Sequence, residues 1–300
     1  MTKTVFVTIA GRTNAGKSSL LNALIGEKIA SVSSKSQTTR TKITGILNSD
    51  ETQIVLMDTP GLHKPKNKLS THMLNTVSES VTDIDVVLFM MDCTRKIGEQ
   101  EVQLLNNCFS SKTKVILVLN KIDLLTNKSE LALKIAQLSG EFPFTAVVPI
   151  SVKNNDGIDL VIEEVKKLAV ESPHYFLDDM ITDQPEKVIA SEIIREKLLN
   201  LLQDEVPHGV AVGVETMKER DNSKGETILD VSATIYCERE SHEGIIIGKG
   251  GSMLKKASTL ARQELENFFQ IKVNLQCWVK VKEDWRNREG IIRNFGLSEK

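Results

Sequence analysis

The chain has 300 residues, a formal net charge of -2, 40% hydrophobic residues and 26% charged residues. This is the composition of a globular protein, and the length predicts two domains. The net charge argues against a chain that binds nucleic acid over its whole surface. From Gly248 to the end, however, eleven Lys and Arg stand against six Asp and Glu, which favours either a polyanion partner for this region or a solvated basic surface.

The sequence has neither a signal-peptide layout at its start nor an apolar run near the ~20 residues that span a bilayer. Its four cysteines stand far apart, with no CxxC pair, which predicts buried thiols rather than ligands or disulfides. We therefore expect a reduced, cytoplasmic protein.

In the first part of the chain, short aliphatic runs alternate with stretches of helical periodicity. The runs predict strands at 5–10, 53–58, 86–92, 115–120 and 146–150. The periodic stretches predict helices at 19–25, 69–80, 99–107, 129–139 and 158–170. Near-continuous apolar strands that alternate with helices are typical of a parallel sheet covered on both faces.

The pattern changes after residue 170. Residues 171–186 are acidic and contain proline, as expected of a linker. A helix then follows with apolar positions from Val188 to Leu202, and two alternating strands come next, around 209–216 and 227–238. A glycine loop between two helices and a last strand at 271–281 complete the order α-β-β-α-α-β.

The sequence GRTNAGKS carries the strongest motif, G-x-x-x-x-G-K-[ST], between a predicted strand and a predicted helix. Its backbone N–H groups and the helix N-terminus would surround phosphate oxygens. Lys17 would supply charge to the β- and γ-phosphates, and the Ser18 hydroxyl would bind Mg²⁺. The remaining loop residues that we expect at the phosphates are Gly11, Arg12, Thr13, Asn14, Ala15 and Gly16.

Two further stretches select the nucleotide. Asp58 ends a predicted strand, where its carboxylate can hold Mg²⁺ through water, and the backbone N–H of Gly61 can meet a γ-phosphate. Asn120, Lys121 and Asp123 end another strand. A carboxylate at Asp123 can accept hydrogen bonds from both N1–H and the 2-amino group of guanine, whereas adenine lacks these donors. The sequence therefore predicts a guanine nucleotide.

At this point the chain resembles the translation-factor-like GTPases and, over nearly its whole length, the bacterial Era-type GTPases. The matching stretches are GRTNAGKSSLLN, SKSQTTRTKITGI, DTPGLHKPK, NKID and the late IIIGKGG. The resemblance implies an α/β P-loop (Ras-like) GTPase domain with a mostly parallel sheet, followed by an α+β type II KH domain. The implied bounds are 1–172 for the GTPase domain, 173–186 for a linker, 187–283 for the KH domain and 284–300 for an RNA-contacting tail.

The resemblance also assigns residues to the nucleotide. In the first switch, which contains Gln37, either Thr38 or Thr39 should close on Mg²⁺ when the triphosphate is bound. Lys17, Thr38, Thr39 and Gly61 form the expected catalytic set. The other expected nucleotide contacts are Thr59, Pro60, Leu62, Ile122, Ser151, Val152 and Lys153. Since Val152 replaces the family's alanine, only a backbone contact carries over from that position.

Leu62 stands where Ras-type enzymes have a glutamine that orients water. We therefore expect slow hydrolysis, on the order of 10⁻⁴–10⁻³ s⁻¹ without partners. In some relatives the asparagine equivalent to Asn14 binds K⁺, which can replace an arginine finger. The alternative is an asparagine that only tolerates the backbone angles of the loop.

The late loop, Gly248 to Gly251, lacks the Lys-Ser ending of a triphosphate cradle. Its G-x-x-G pattern between two helices instead predicts a KH clamp on unpaired nucleotides. The expected RNA contacts are Gly248, Lys249, Gly250, Gly251, Lys255, Lys256, Lys280, Lys282, Trp285, Arg286 and Arg288. Trp285 either stacks on a base or packs against the preceding helix.

The resemblance names the partners as the 3′ end of 16S rRNA and the 30S subunit, with GTP/GDP and Mg²⁺ as cofactors and a monomeric chain. Lys64, Lys66 and Lys68 predict a mobile switch surface, or alternatively a membrane or ribosome contact. Two other functions stay open: a membrane-associated cell-cycle GTPase on the inner membrane, and an RNA-binding module whose nucleotide site is only structural.

Overall fold

The computed structural model describes residues 1–35, 38–40, 42–61, 67–79, 84–223, 225–295 and 297. The chain separates into two compact units. The first comprises Met1–Ile29, Thr39–Pro65 and His72–Asp183, and the second comprises Ala30–Thr38, Lys66–Thr71 and Gln184–Lys300. By its contacts, the short segment Ala30–Thr38 therefore belongs with the C-terminal part of the chain.

The first unit is built on one sheet. Its strands are β1 (Lys3–Gly11), β2 (Ile43–Ser49), β3 (Thr52–Asp58), β4 (Val86–Asp92), β5 (Lys114–Asn120), β6 (Ala146–Pro149) and β7 (Val170–Glu171). The helices between residues 1 and 183 are α1 (Lys17–Ile25), α2 (Lys68–Glu79), α3 (Glu99–Ser110), α4 (Lys128–Glu141) and α5 (Ile158–Lys166). The strand order is β2-β3-β1-β4-β5-β6, and β7 pairs with β1.

The central strands β3, β1, β4, β5 and β6 are parallel to one another. All seven residues of β4 are buried, as expected of a strand covered on both faces. Because the carboxyl ends of parallel strands meet at one edge, the residues after β1, β3, β5 and β6 lie along the same edge of the sheet. The predicted P-loop GTPase fold is confirmed.

The structure adds two strands that the sequence did not indicate, β2 and β7, both antiparallel to their neighbours. The helix predicted at 158–170 ends earlier, at Lys166, because the chain then turns into β7. Residues 173–183, within the predicted linker, are bonded to the sheet. Gln53 accepts the backbone N–H groups of Tyr175 and Phe176 at 2.8 and 3.0 Å, and Ile46 N–H donates to the carbonyl of Ile181 at 2.8 Å.

The second unit has the predicted order α-β-β-α-α-β. Its elements are α6 (Glu186–Leu201), β8 (Ala211–Asp221), β9 (Thr227–Cys237), α7 (Glu240–Ile247), α8 (Ser252–Phe269), β10 (Lys272–Val281) and a final helix α9 (Glu289–Asn294). The strand order is β10-β9-β8, with β9 parallel to β10 and antiparallel to β8. Apolar residues of α6 and α8 pack with residues of the sheet in one core, which includes Ile193, Leu198, Val231, Ile235 and Leu265. The predicted type II KH fold is confirmed.

Three of the four cysteines are buried as predicted. Cys93, Cys108 and Cys237 are buried free thiols, and Cys277 is partly buried. Burial raises the pKa of the Cys108 thiol to about 11. Within the described ranges, none of the helices combines the length and the apolarity that a bilayer crossing requires.

Candidate functional site

The glycine loop of the first unit connects β1 to α1. Gly16, the residue before α1, has φ +107°, and an added Cβ would lie 2.5 Å from Nδ2 of Asn120, so no other residue fits here. Lys17 is 6% exposed, and its Nζ donates to the carbonyl of Arg12 at 3.1 Å across the loop. Burial lowers the pKa of the Lys17 ammonium, and the nearby Asp58 carboxylate partly opposes this.

Three side-chain oxygens converge beside this loop. Ser18 Oγ lies 2.7 Å from Thr39 Oγ1 and donates to Asp58 Oδ2 at 2.6 Å, and Thr39 Oγ1 donates to the same oxygen at 3.3 Å. Asp58 is fully buried, its Oδ1 has no hydrogen-bond partner, and burial raises the pKa of the carboxyl group. Mg²⁺ prefers hard oxygen ligands, so this cluster with its orphaned carboxylate oxygen fits the ion.

The two threonines of the first switch have different hydrogen-bond partners. Thr38 Oγ1 donates to the carbonyl of Lys35 at 2.6 Å, within its own turn. Thr39 is the threonine that reaches Ser18 and Asp58. Thr39, rather than Thr38, is therefore placed to bind Mg²⁺.

Asn120, at the end of β5, joins two loops of the site. Its Nδ2 donates to the carbonyl of Ala15 at 2.8 Å, and its Oδ1 accepts the backbone N–H of Val152 at 3.1 Å. Asp123 Oδ1 accepts the hydroxyl of Ser151 at 2.7 Å. The first glycine loop, the NKID segment and the loop after β6 are thus held together as one binding edge.

The other predicted nucleotide residues lie around these groups. Lys121 has φ +68°, and its Nζ pairs with Asp92 at 2.8 Å. Thr59 is buried and donates to the carbonyl of Ile9 at 3.0 Å, so it fixes the strand end. Partly buried Ile122, exposed Lys153 and buried Pro60 lie on the adjoining turns.

Thr13 and Asn14 lie on the wall of a small cleft that Arg95 and Glu101 also line. Gly61 touches Thr13 so closely that an added Cβ would lie 2.6 Å from Thr13 Cγ2. Asn14 has φ +62°, a left-handed conformation that asparagine tolerates better than most residues. This supports the backbone alternative for Asn14, while K⁺ binding stays a prediction.

The late glycine loop stands where the sequence placed it, between α7 and α8. Gly248, Gly250 and Gly251 have φ of +73°, +59° and +79°. Space is open beyond Gly250, since an added Cβ would meet no atom within 4 Å. Six of the seven predicted cationic contacts are exposed: Lys249, Lys255, Lys256, Lys280, Lys282 and Arg288.

Two predicted RNA contacts of the tail have partners within the protein. Trp285 is fully buried, its Nε1 donates to the carbonyl of Gly209 at 2.8 Å, and its ring meets Phe295 edge to face at 5.4 Å. An indole in this position cannot stack on a base, and its N–H bonds the turn before β8. Arg286 pairs with Glu238. Trp285 is therefore a packing residue, whereas RNA contact by Arg286 and Arg288 stays a prediction.

Trp278, which was not among the predicted RNA contacts, is 47% exposed on β10. Alternation along β10 places it on the same face as Lys280. The alternation of residues along β10 is visible in the sequence and could have placed Trp278 on the face of Lys280. Gln37, Leu62, Lys64 and Lys66 lie outside the described residues, and Lys68 pairs with Glu289 at 3.2 Å.

Known proteins match both units. The family model of the 50S ribosome-binding GTPases matches residues 6–121, and the KH domain model matches residues 205–286. GTPase Era of Clostridioides difficile is 49% identical over 300 residues, which is 100% of both chains. GTPase Era of Ruminiclostridium cellulolyticum is 48% identical over 294 residues, covering 98% of this chain and 97% of the relative.

The chain belongs to the Era family of GTPases. A crystal structure of Era with MgGDPNP and nucleotides 1506–1542 of 16S ribosomal RNA covers 100% of both chains at 36% identity, with a TM-score of 0.94. An Aquifex aeolicus Era variant bound to GDP and aluminium fluoride has the same identity and TM-score and covers 99% of this chain and 100% of its own. These full-length matches confirm the fold and the family that the motifs indicated.

Proposed function

We propose that this protein is a GTP-binding and GTP-hydrolysing switch that binds the 3′ end of 16S ribosomal RNA and acts in assembly of the 30S subunit. The observation that carries the proposal is the convergence of Ser18, Thr39 and Asp58 beside Lys17 in a chain of the Era family. The bound ligands of the Era crystal structure, a Mg²⁺–GTP analogue and the RNA 3′ end, support both halves of the proposal.

In the nucleotide site, Lys17 places its charge at the β- and γ-phosphates and stabilises the charge that develops as the terminal bond breaks. Ser18 and Thr39 hold Mg²⁺ directly and Asp58 holds it through water. Bound there, the ion neutralises negative charge between the two phosphates. Asp123 selects guanine, and Asn120 holds the phosphate loop and the base loop in register.

Water attacks the γ-phosphate, and GDP and inorganic phosphate leave. Leu62 cannot orient this water, so turnover without partners is slow, on the order of 10⁻⁴–10⁻³ s⁻¹. The Gly61 N–H supplies further stabilisation at the γ-phosphate. If K⁺ binds, Asn14 is the residue that would hold it, and the ion would supply positive charge beside the phosphates. We assign residues 1–172 to the GTPase domain, 173–186 to the connection, 187–283 to the KH domain and 284–300 to the tail.

On the RNA side, the loop from Gly248 to Gly251 lets a sugar-phosphate backbone approach closely, and exposed Lys249, Lys255 and Lys256 supply charge. We place the protein in the cytoplasm as a monomer. Peripheral binding to the inner membrane remains a separate prediction.

The test combines two assays on the full chain. Fluorescent nucleotide titration should give tight binding of GTP and GDP, weak binding of ATP, and slow Mg²⁺-dependent phosphate release. Anisotropy with an oligonucleotide of the 16S rRNA 3′ end should give tighter binding than with a scrambled sequence. Equal affinity for GTP and ATP would overturn the enzymatic half, and equal affinity for the two RNAs would overturn the ribosomal half.

A further inference from the structure

Hydrogen bonds join the chain segment before Thr39, from Ser31 to Thr38, to helix α6. Ser31 is buried, and its hydroxyl lies within hydrogen-bond distance of the Glu192 carbonyl at 2.9 Å and the Glu192 carboxylate at 3.0 Å. The backbone N–H of Val32 donates to Glu196 Oε2 at 2.8 Å. At the other end of the segment, Arg195 Nη2 donates to the carbonyl of Thr38.

Two charged residues of α6 are buried rather than solvated. Arg195 is 2% exposed and Glu196 is 3% exposed. Arg195 Nε donates to Glu192 at 2.9 Å, and Lys197 pairs with both Glu196 and Glu264 of α8 at 3.0 Å. Buried ion pairs stabilise a fold less than apolar packing does, so their presence here points to a specific positioning role.

Thr38 is held from two sides. Its carbonyl accepts from Arg195, and its hydroxyl donates to Lys35 within the same turn. A planar peptide bond joins Thr38 to Thr39, so fixing this carbonyl restricts where Thr39 can lie. The Thr39 hydroxyl stands 2.7 Å from Ser18 Oγ and 3.3 Å from Asp58 Oδ2, within the cluster that fits Mg²⁺.

We propose that Arg195 is a positioning residue for GTP hydrolysis: its guanidinium holds the Thr38 carbonyl and thereby keeps the Thr39 hydroxyl at the magnesium site. This inference rests on the proposed GTPase function. The planar fork of arginine suits the role because one guanidinium bonds the Glu192 carboxylate and the Thr38 carbonyl together. A shift of about 1 Å in such a group can lower a rate by about 100-fold.

The test is Arg195→Lys in the full chain, which keeps the positive charge beside Glu192 and removes the fork. In single-turnover phosphate release, we expect the hydrolysis rate constant to fall on the order of tenfold, with GTP and GDP affinity within about twofold of the wild type. Arg262→Lys is the matched control, since Arg262 also forms a helical pair with Glu266 at 2.8 Å. The control should hydrolyse GTP at the wild-type rate.

A double-mutant cycle separates positioning from general destabilisation. If Arg195 acts through Thr39, Arg195→Lys has no further effect in a Thr39→Ala background. Ser31→Ala removes the hydrogen bond between the Ser31 hydroxyl and Glu192 without changing any residue of α6. It is the substitute variant if Arg195→Lys does not fold. We expect it to slow hydrolysis about two- to threefold, again only when Thr39 is present.

An unchanged rate in both variants, or an equal loss with and without Thr39, would overturn the inference. Failure of the wild-type chain to hydrolyse GTP would instead overturn the proposed function. The two failures are distinguishable because the wild-type rate is measured in the same experiment.

Discussion

Ser151 donates its hydroxyl to the carboxylate of Asp123 at 2.7 Å, although the two residues are 28 positions apart in the chain. The bond is made at the carboxyl edge of the sheet, where β5 and β6 lie side by side. It fixes the carboxylate that faces the guanine in the proposed complex.

Asp123→Asn should change the base preference from guanine to xanthine. An amide offers one acceptor oxygen where the carboxylate accepts two hydrogen bonds, and its N–H₂ can donate to the C2 carbonyl of xanthine. We expect GTP affinity to fall by at least about tenfold, since hydrogen bonds to charged groups contribute about 1.5–3 kcal/mol each. Competition between GTP and xanthosine triphosphate measures this.

Asp156→Asn is the matched control, because Asp156 is exposed in the neighbouring loop and the charge change is the same. It should leave the preference for GTP intact. If Asp123→Asn also kept that preference, specificity would lie elsewhere, for example in the loop from Ser151 to Lys153.

Gly250→Asp should remove RNA binding and leave nucleotide binding unchanged. The new carboxylate would stand where an RNA phosphate passes, and like charges brought together cost several kcal/mol, on the order of 100-fold or more in affinity. The fold should survive, because space beyond Gly250 is open and aspartate is among the residues that tolerate φ +59°. Anisotropy with a short single-stranded RNA checks the loss.

Gly225→Asp supplies the control for this substitution. Gly225 also has a positive φ of +78° and open space, but it lies in the turn between β8 and β9. The Gly225→Asp protein should bind RNA nearly as the wild type does. Unchanged RNA affinity in a folded Gly250→Asp protein would show that the GKGG loop is a simple turn without an RNA contact.

The two tryptophans should respond differently to truncation. Trp285→Ala removes a fully buried ring and should cost about 3–5 kcal/mol in the free energy of unfolding. Trp278→Ala, at a 47% exposed position, should stay within about 0.5 kcal/mol. Urea unfolding measures both. Loss of RNA affinity in Trp285→Ala without loss of stability would restore the base-stacking role that the structure excludes.

His174 should stabilise the first unit most at acidic pH. Its ring bonds Asp178 at 3.0 Å and the carbonyl of Glu51 at 3.3 Å, and these contacts raise the pKa of the imidazole, with Asp178 the larger cause. A raised folded pKa means that the contribution is complete below the ordinary value of 6.5 and is lost as pH rises through the folded pKa.

The melting temperature of the wild type should therefore exceed that of His174→Gln by more at pH 6 than at pH 8.5, and Asp178→Asn should show the same trend. A difference between wild type and variant that does not change with pH would contradict this assignment.

The motifs predicted the folds and the main site residues because their spacing fixes where loops meet strands. Lys17, Asp58 and Asn120 follow directly from a glycine loop and from apolar strands that end in polar residues. Strand β2 escaped prediction because it is an edge strand, whose pairing with β3 and whose bond to Ile181 depend on distant segments.

Other features depended on three-dimensional contacts that no local pattern encodes. The sequence could not choose between Thr38 and Thr39, because the choice depends on which hydroxyl reaches Ser18 and Asp58 in the folded chain. The periodicity of α6 correctly placed Ile193 and Leu198 in the core, but it gave no sign that Arg195 and Glu196 are buried as well. Whether such a charged side chain is buried depends on its partners on other elements, such as the Thr38 carbonyl beside Arg195.

As a switch, the protein should bind RNA with an affinity that depends on the bound nucleotide. This dependence is tested most directly by measuring the affinity of the full chain for the 16S rRNA 3′ end with Mg²⁺ and either a non-hydrolysable GTP analogue or GDP. We predict tighter binding with the analogue, and Gly250→Asp should bind weakly with both nucleotides. Equal RNA affinity in the two nucleotide states would contradict the claim and leave an RNA-binding protein whose nucleotide site is only structural.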